Sequence, residues 1–152
     1  MTLPLADRAI EEAHDLHRFL QAWLTGDWPR DGFARFADAM APELQVISPL
    51  GATTEREALL TEFESLHGEL AAKKDAFEIW VERAVCRHVL GDVAVVTYEE
   101  WHKLEGETSA RLSTVLYRDA PEAPGGVSWL HVHETWLPGQ APEAGERFPE
   151  KA

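Results

Sequence analysis

Two short segments hold most of the side chains that could carry out chemistry. The first is WLHVHETWL, residues 129–137, in which two histidines stand two apart among aromatic and aliphatic residues. On a strand, successive side chains point to opposite faces, so Trp129, His131 and His133 would share one face. The two histidines could bind a metal with a third ligand, act as acid and base near neutral pH, or lie hydrogen-bonded in the core. The sequence leaves these interpretations open; we expect the histidine face to line a pocket and to hold no metal.

The second segment is YEEWH, residues 98–102. Alternation places Tyr98, Glu100 and His102 on one face of a strand whose earlier residues are apolar. A phenol, a carboxylate and an imidazole in a pocket could bind a polar ligand or relay a proton. They could equally form a solvated rim where the strand ends.

Two further ionisable residues are predicted to have structural roles. Arg111 follows this segment and is expected to form an exposed ion pair with Glu99 or Glu100, which contributes only about 0–1 kcal/mol. His17 lies on the first helical segment and is expected to flank its buried side.

Composition excludes several classes of partner. The chain has 152 residues with 27 acidic and 14 basic side chains, for a formal charge of −13. Such a charge repels nucleic acid and anionic membranes. Cys86 is the only cysteine, so no internal disulfide or multi-cysteine cluster is possible. No phosphate-binding loop, nucleophile elbow or zinc-protease motif occurs, and we expect no cofactor. The acidic N-terminal segment and the lack of a long apolar run predict a soluble, cytoplasmic protein.

The helices that must position these residues follow from apolar residues spaced three and four apart. This spacing predicts a helix over residues 5–24 that ends at Gly26, and a shorter helix over residues 31–42. A third helix is predicted over residues 54–70, opening with a Thr-x-x-Glu capping box.

The strands are marked by a change to a period of two. We predict one strand over residues 44–48 and four more over residues 77–89, 93–104, 110–118 and 127–137. Strands joined by short turns pair antiparallel. Helices followed by strands predict an α+β domain, with the helices covering one face of a curved antiparallel sheet.

The predicted strands are apolar on both faces, so the face away from the helices also needs cover. We therefore predict a homodimer through the outer face of the sheet. The domain is expected to span residues 1–137. The tail over residues 138–152 is rich in proline and charge and is expected to be poorly ordered.

The order of elements resembles the nuclear transport factor 2-like superfamily over residues 8–137. The similar local features are a first helix ending in Gly-Asp, the SPLG turn before the third helix, and the late WLHVHETW strand. Within the superfamily, the chain is most similar to the branch of ketosteroid isomerases and SnoaL-like polyketide cyclases. The resemblance implies a cone in which three helices fill the concavity of a bent sheet, with a pocket at the open end and dimerisation across the convex face.

The isomerase's catalytic residues are not matched. The resemblance would place its oxyanion-donating tyrosine at Phe19 and its carboxylate base at Ser48, and neither residue can perform that step. The related association domain of calmodulin-dependent kinase II lines its pocket with arginines, where this chain offers Glu100 and Thr114. That difference disfavours an acidic ligand.

We therefore expect a pocket protein for a small hydrophobic molecule with polar ends, with isomerase, cyclase or hydratase chemistry as one outcome. The predicted acid/base residues are Tyr98, Glu100, His102 and His133. The predicted ligand-binding residues are Phe19, Trp23, Ser48, Thr114, Trp129 and His131. The alternative is a non-catalytic dimerisation or ligand-sensing domain of the same fold.

Overall fold

A single curved sheet of six strands carries helices on its concave side. The structure, a computed structural model, describes residues 2–142. The helices are α1 (Leu5–Thr25), α2 (Ala34–Ala37) and α3 (Arg56–Ser65), with short 3-10 turns at Arg30–Gly32 and Ala71–Ala76. The strands are β1 (Met40–Ile47), β2 (Thr53–Glu55), β3 (Phe77–Leu90), β4 (Val93–Leu104), β5 (Glu107–Asp119) and β6 (Val127–Trp136).

The strand order across the sheet is β2-β1-β6-β5-β4-β3. Strands β3 to β6 follow one another antiparallel, and β2 pairs antiparallel with β1. Strand β1 pairs in parallel with β6, the last of the six described strands. The predicted α+β class, with helices on one face of a curved sheet, is confirmed, and the four long predicted strands are found within a few residues of their predicted bounds.

Helix α1 forms because its apolar residues recur on one side, and that side is buried against the sheet. Leu16, Leu20 and Trp23 are each no more than 6% exposed. The helix ends at Gly26, whose φ of 83° is in the left-handed region that favours glycine. The predicted helix and its stop are both confirmed.

Two helix predictions were wrong in extent. The second helix is only four residues long, because Met40 already belongs to β1. The predicted capping box at residues 54–57 does not form. Thr54 instead pairs with Val46 in the sheet, and α3 begins at Arg56 without a side-chain cap. Tertiary pairing overrides the local helix-start signal here.

A bulge in β6 determines which of its side chains face the helices. Tyr117 pairs with Trp129 and the preceding Leu116 pairs with His131, so Leu130 is an extra residue in the ladder. An extra residue reverses the alternation of side chains. Trp129 is therefore buried on the concave side, whereas His131 is only partly buried and lies beside Leu116 on the convex side.

Within the described residues, no helix combines the length and the apolar character needed to cross a membrane. The predicted cytoplasmic location stays a prediction. Of the predicted tail, residues 138–142 are described, and the amide of Ala110 donates to the carbonyl of Gln140 at 3.1 Å. Residues 143–152 lie outside the described part of the chain.

Candidate functional site

A cavity of about 80 Å³ lies between α1, α3 and the concave face of the sheet. Most of its lining is apolar and partly aromatic, and four polar side chains share the wall. The apolar lining residues are Leu16, Leu20, Phe36, Met40, Leu44, Val46, Leu59, Phe63, Trp129 and Val132. The polar lining residues are His17, Tyr98, Glu100 and Glu134.

The polar wall is assembled by three elements that are far apart in sequence. Helix α1 presents His17 from the same stripe as Leu20, because residues three apart lie on one side of a helix. Strand β4 supplies Tyr98 and Glu100, two residues apart on its concave face, and β6 supplies Glu134. All four polar side chains are no more than 7% exposed.

Glu100 is the centre of the first polar group. Its Oε1 lies 2.7 Å from Nε2 of His17, and its Oε2 lies 2.6 Å from Nε2 of His102. Arg111 Nε lies 3.9 Å from the same Oε2. Two imidazoles and a guanidinium thus surround the carboxylate, and Glu100 is only 5% exposed.

The protonation of His17 follows from its two bonds. Its Nδ1 lies 2.7 Å from the carbonyl oxygen of Ala13, which can only accept, so Nδ1 carries a proton. Burial alone would lower the pKa of His17, but the charge and hydrogen bond of Glu100 raise it above its usual 6.5. Burial alone would raise the pKa of Glu100, yet the charge of His17 and the hydrogen bonds of both histidines hold it well below 4.5. The pair is therefore an imidazolium and a carboxylate.

Glu134 is the centre of a second polar group on the same wall. Arg111 Nη1 donates to its Oε1 at 2.9 Å, and the Ser113 hydroxyl donates to its Oε2 at 3.2 Å. Burial raises the pKa of Glu134 to about 7, with Glu100 adding to the rise and Arg111 opposing it. A carboxyl that titrates near neutral pH beside a cavity is a candidate acid or base.

The prediction that Arg111 forms an exposed surface pair is wrong. Its side chain is only 2% exposed, and its guanidinium lies 4.7 Å from the ring centroid of Trp136. The guanidinium lies beside both carboxylates and also lines a second, smaller pocket of about 20 Å³. Arg111 thus belongs to the interior charge network.

A further buried carboxylate lies nearer the start of α1. Glu12 accepts two bonds from Arg35, at 2.7 and 3.2 Å, and one from the indole of Trp129 at 2.9 Å. Its space depends on Gly125, because a Cβ there would lie 2.3 Å from Glu12 Oε1. This pair fixes the Trp129 ring that lines the cavity.

The structure brings together some of the residues predicted for the site. Tyr98, Glu100 and Trp129 line the cavity. His102 is buried behind Glu100 and borders the smaller pocket. The predicted solvated rim is therefore wrong for Tyr98, Glu100 and His102, which are 1%, 5% and 7% exposed.

Other predicted ligand-binding residues lie away from the cavity. Phe19 and Trp23 stack on each other within the aromatic core, with ring centroids 5.5 Å apart, and neither lines the cavity. Ser48 accepts from the amides of Leu50 and Ala52 and holds the turn after β1. Thr114 faces the convex side.

The prediction that the two histidines of β6 face the pocket is wrong. His133 is exposed and pairs with Thr114, and His131 pairs with Leu116 on the same convex side. The β6 bulge is the cause. Among residues 2–142, no group of three or more histidine, cysteine or acidic side chains is placed to hold a metal.

The sequence did not predict the positions of three residues of the candidate site. His17 could have been found, because it falls on the stripe of Ala13, Leu16 and Leu20. Glu134 could not, because strict alternation puts it opposite Trp129 and only the bulge brings it inside. Arg111 had no signal in its neighbours, since its partner Glu134 comes from another strand.

Comparison with known sequences gives one consistent set of relatives. The family described as sucrose-6-phosphate phosphohydrolase C-terminal matches residues 15–138. Sucrose-phosphatase 2 of Nicotiana tabacum is 25% identical over 133 residues, which cover 86% of this chain and 31% of that protein. Sucrose-phosphatase 1 of the same plant matches with the same identity and coverage. The chain therefore spans about a third of the length of these curated relatives.

Comparison with solved structures shows the fold of the nuclear transport factor 2-like superfamily. An NTF-2 like protein of unknown function from Pseudomonas aeruginosa is 25% identical, with a TM-score of 0.73 over 86% of this chain and 98% of that one. The CaMKII hub of S. rosetta is 17% identical, with a TM-score of 0.66 over 90% of this chain and all of the other. The predicted superfamily resemblance is confirmed.

Proposed function

We propose that this chain, which belongs to the family described as sucrose-6-phosphate phosphohydrolase C-terminal, is a small-molecule-binding domain. Its ligand enters the concave cavity. The ligand is a small, mainly apolar molecule with a polar end. Domains of this fold also serve in oligomeric assemblies, as the hub neighbour illustrates.

One observation carries the proposal: an apolar cavity that ends at buried, charged side chains. Glu100 and Glu134 both border the cavity and are 5% and 7% exposed. Burying two carboxylates costs free energy that hydrophobic packing would not, so a fold keeps them there most often for a function. Apolar walls with a few convergent polar groups are typical of small-molecule sites.

The cavity chemistry argues against a sugar phosphate as the ligand. A phosphate group is held by cationic or backbone donors, whereas the charged groups on this wall are two carboxylates and an imidazolium that is already paired. A sugar also presents many hydroxyls, and most of this wall cannot hydrogen-bond. The proposed ligand is therefore distinct from the substrate named for the longer relatives.

The test is to fill the cavity and measure binding. Val132 borders the cavity and is 6% exposed, so Val132→Phe should occupy the space. Benzene and butan-1-ol are titrated while amide shifts are followed by NMR. We expect saturable shifts in α1 and β4 of the original chain and none in the variant.

The matched control is Val95→Phe, which adds the same ring on the convex side of β4. It should bind both probes as the original chain does. Equal binding by Val132→Phe, or no saturable binding by the original chain, would contradict the proposal. Circular dichroism checks that each variant remains folded.

A second candidate is acid–base catalysis, which one observation favours. The pKa of Glu134 is raised to about 7 by burial, and a base with such a pKa beside a cavity is suited to proton abstraction. The predicted acid/base residues Tyr98, Glu100 and His102 would then form the environment of the base Glu134. In D₂O, the chain should accelerate α-proton exchange of butan-2-one, and Glu134→Gln should abolish that acceleration. No acceleration by the original chain would exclude this chemistry for simple ketones.

We also propose the predicted homodimer, formed by two convex sheet faces. This side carries a stacked pair, Trp80 and Trp101, with ring centroids 6.1 Å apart. Val85 and Leu112 are 39% and 37% exposed. An apolar face of this kind is covered most simply by a second copy.

Analytical ultracentrifugation tests the dimer. Leu112→Glu places a charge in the proposed interface and should convert dimers to monomers. Leu3→Glu is the control, because Leu3 is 45% exposed and lies just before α1. A monomeric original chain, or an unchanged dimer in Leu112→Glu, would contradict the proposed interface.

A further inference from the structure

With Glu134 ionised, the polar end of the cavity has several spare hydrogen-bond acceptors and at most one spare donor. His17 donates from Nδ1 to Ala13 and from Nε2 to Glu100. The single hydroxyl proton of Ser113 goes to Glu134. The hydroxyl of Tyr98, which hydrogen-bonds with Ser113, carries the single remaining proton of this wall.

The hydrogen-bond acceptors on the same wall, unlike the donors, are only partly used. Glu100 accepts one hydrogen bond on each oxygen, from His17 and His102, and Glu134 accepts one on each oxygen, from Arg111 and Ser113. A carboxylate has about four lone-pair positions. Both cavity carboxylates therefore keep acceptor capacity.

From this imbalance we propose that the ligand is a compact apolar molecule whose polar end donates hydrogen bonds, an alcohol or an alkylammonium ion. This inference rests on the proposed binding function and names its ligand class. A ketone or a carboxylate would turn acceptor lone pairs toward the oxygens of Glu100 and Glu134. Neither the ligand oxygen nor the glutamate oxygens would then gain a hydrogen bond from this contact. Such an unsatisfied polar contact in an apolar cavity is unfavourable.

The size and the walls of the cavity suit such a molecule. At about 10–15 Å³ for each water-sized group, the space of about 80 Å³ holds roughly five to eight such groups. The aromatic rings of Phe36, Phe63 and Trp129 border it. These rings pack against an alkyl body, and their faces also attract a cationic head.

The experiment compares four probes that share a four-carbon body: butan-1-ol, butylammonium, butan-2-one and butyrate. Dissociation constants are measured by NMR titration of the full chain at pH 6 and pH 8. We expect the alcohol, the ammonium ion or both to bind at least about tenfold more tightly than the ketone and the acid. A ketone or acid that binds as tightly as both donors overturns the inference and leaves the binding function standing. If none of the four binds, the binding function fails as well.

Glu134→Gln separates the two donor classes. The amide keeps an oxygen for Arg111 but cannot ionise. If the ligand is an ammonium ion, its affinity should rise from pH 6 to pH 8 in the original chain and fall about tenfold in the variant at pH 8. If it is an alcohol, its affinity should change less than threefold in both comparisons. The matched control is Glu99→Gln, on the convex side of β4, which should leave all four constants unchanged. Equal effects of the two variants on butylammonium would overturn the ammonium assignment.

Discussion

Glu99 and Glu100 are neighbours in β4, yet their carboxylates meet opposite surroundings. Glu100 points to the concave side, where its side chain is 7% exposed and bonded to two imidazoles. Glu99 points to the convex side, where its side chain is 17% exposed; it pairs with Arg83, which is 66% exposed, and accepts from the indole of Trp101 at 3.0 Å. The same residue type therefore forms an interior ion pair on one face and a surface pair on the other.

The difference shows that the alternation of side chains along β4 determines how much each carboxylate depends on its partners, with no ligand present. On the concave face, removing one partner leaves a buried charge with no water to replace it. On the convex face, solvent screens the pair and can take its place. Loss of a partner is therefore more costly for a concave charge than for a convex one.

The largest expected effect is the loss of Glu100. Glu100→Ala leaves His17 and His102 without their shared acceptor and should lower the free energy of unfolding by about 3–5 kcal/mol. Glu99→Ala should lower it by no more than about 1 kcal/mol. Urea denaturation of both variants at pH 7 measures the two losses. Similar losses would show that the two faces do not differ as described.

The next effect concerns pH and Glu134. Its pKa in the folded chain is raised to about 7 from an ordinary 4.5, so the stability it contributes is fully present below pH 4.5 and is lost as pH rises to about 7. At about 1.4 kcal/mol for each pKa unit, the loss is on the order of 3 kcal/mol. Glu134→Gln, whose side chain cannot ionise, should remove this loss of stability with rising pH.

The measurement is the unfolding free energy of both chains from pH 4.5 to pH 8. The advantage of Glu134→Gln over the original chain should grow across this range and then level off. A constant difference between the two curves would mean that the carboxyl has an ordinary pKa.

A smaller effect separates two buried tyrosines of the concave face. Among the described residues, Tyr117 Oη is a buried oxygen with no hydrogen-bond partner, whereas Tyr98 bonds to Ser113. Tyr117→Phe should leave stability unchanged or raise it by up to about 1–3 kcal/mol, and Tyr98→Phe should lower it by about 1 kcal/mol. Thermal unfolding of both variants gives the comparison. A clear loss in Tyr117→Phe would indicate that this hydroxyl has a partner such as a bound water.

The smallest effect is expected at His133. The side chain is exposed on the convex face, so His133→Ala should change stability by no more than about 0.5 kcal/mol. It should also leave the binding of benzene and butan-1-ol unchanged, which titration by NMR measures. Weakened binding would indicate that His133 lines the cavity.

Much of the fold could be predicted because its signals are local and repeated. The stripe of Leu16, Leu20 and Trp23 predicts α1, and Gly26 predicts its end. The period of two in β4 predicts that Tyr98 and Glu100 share one face, and this part of the site follows directly. The capping box at Thr54 failed because a neighbouring strand offered that backbone better hydrogen bonds than the helix did.

The sequence by itself determined the α+β class, the long strands, the strong acidic charge and the shared face of Tyr98 and Glu100. Tertiary structure alone decided that Glu134, and not His133, lines the cavity. One extra residue in β6, Leu130, reverses the alternation, and a bulge depends on how a strand pairs with its neighbour. Only the folded sheet also joins Arg111 to Glu134, because cross-strand register is a property of two segments and is written in neither alone.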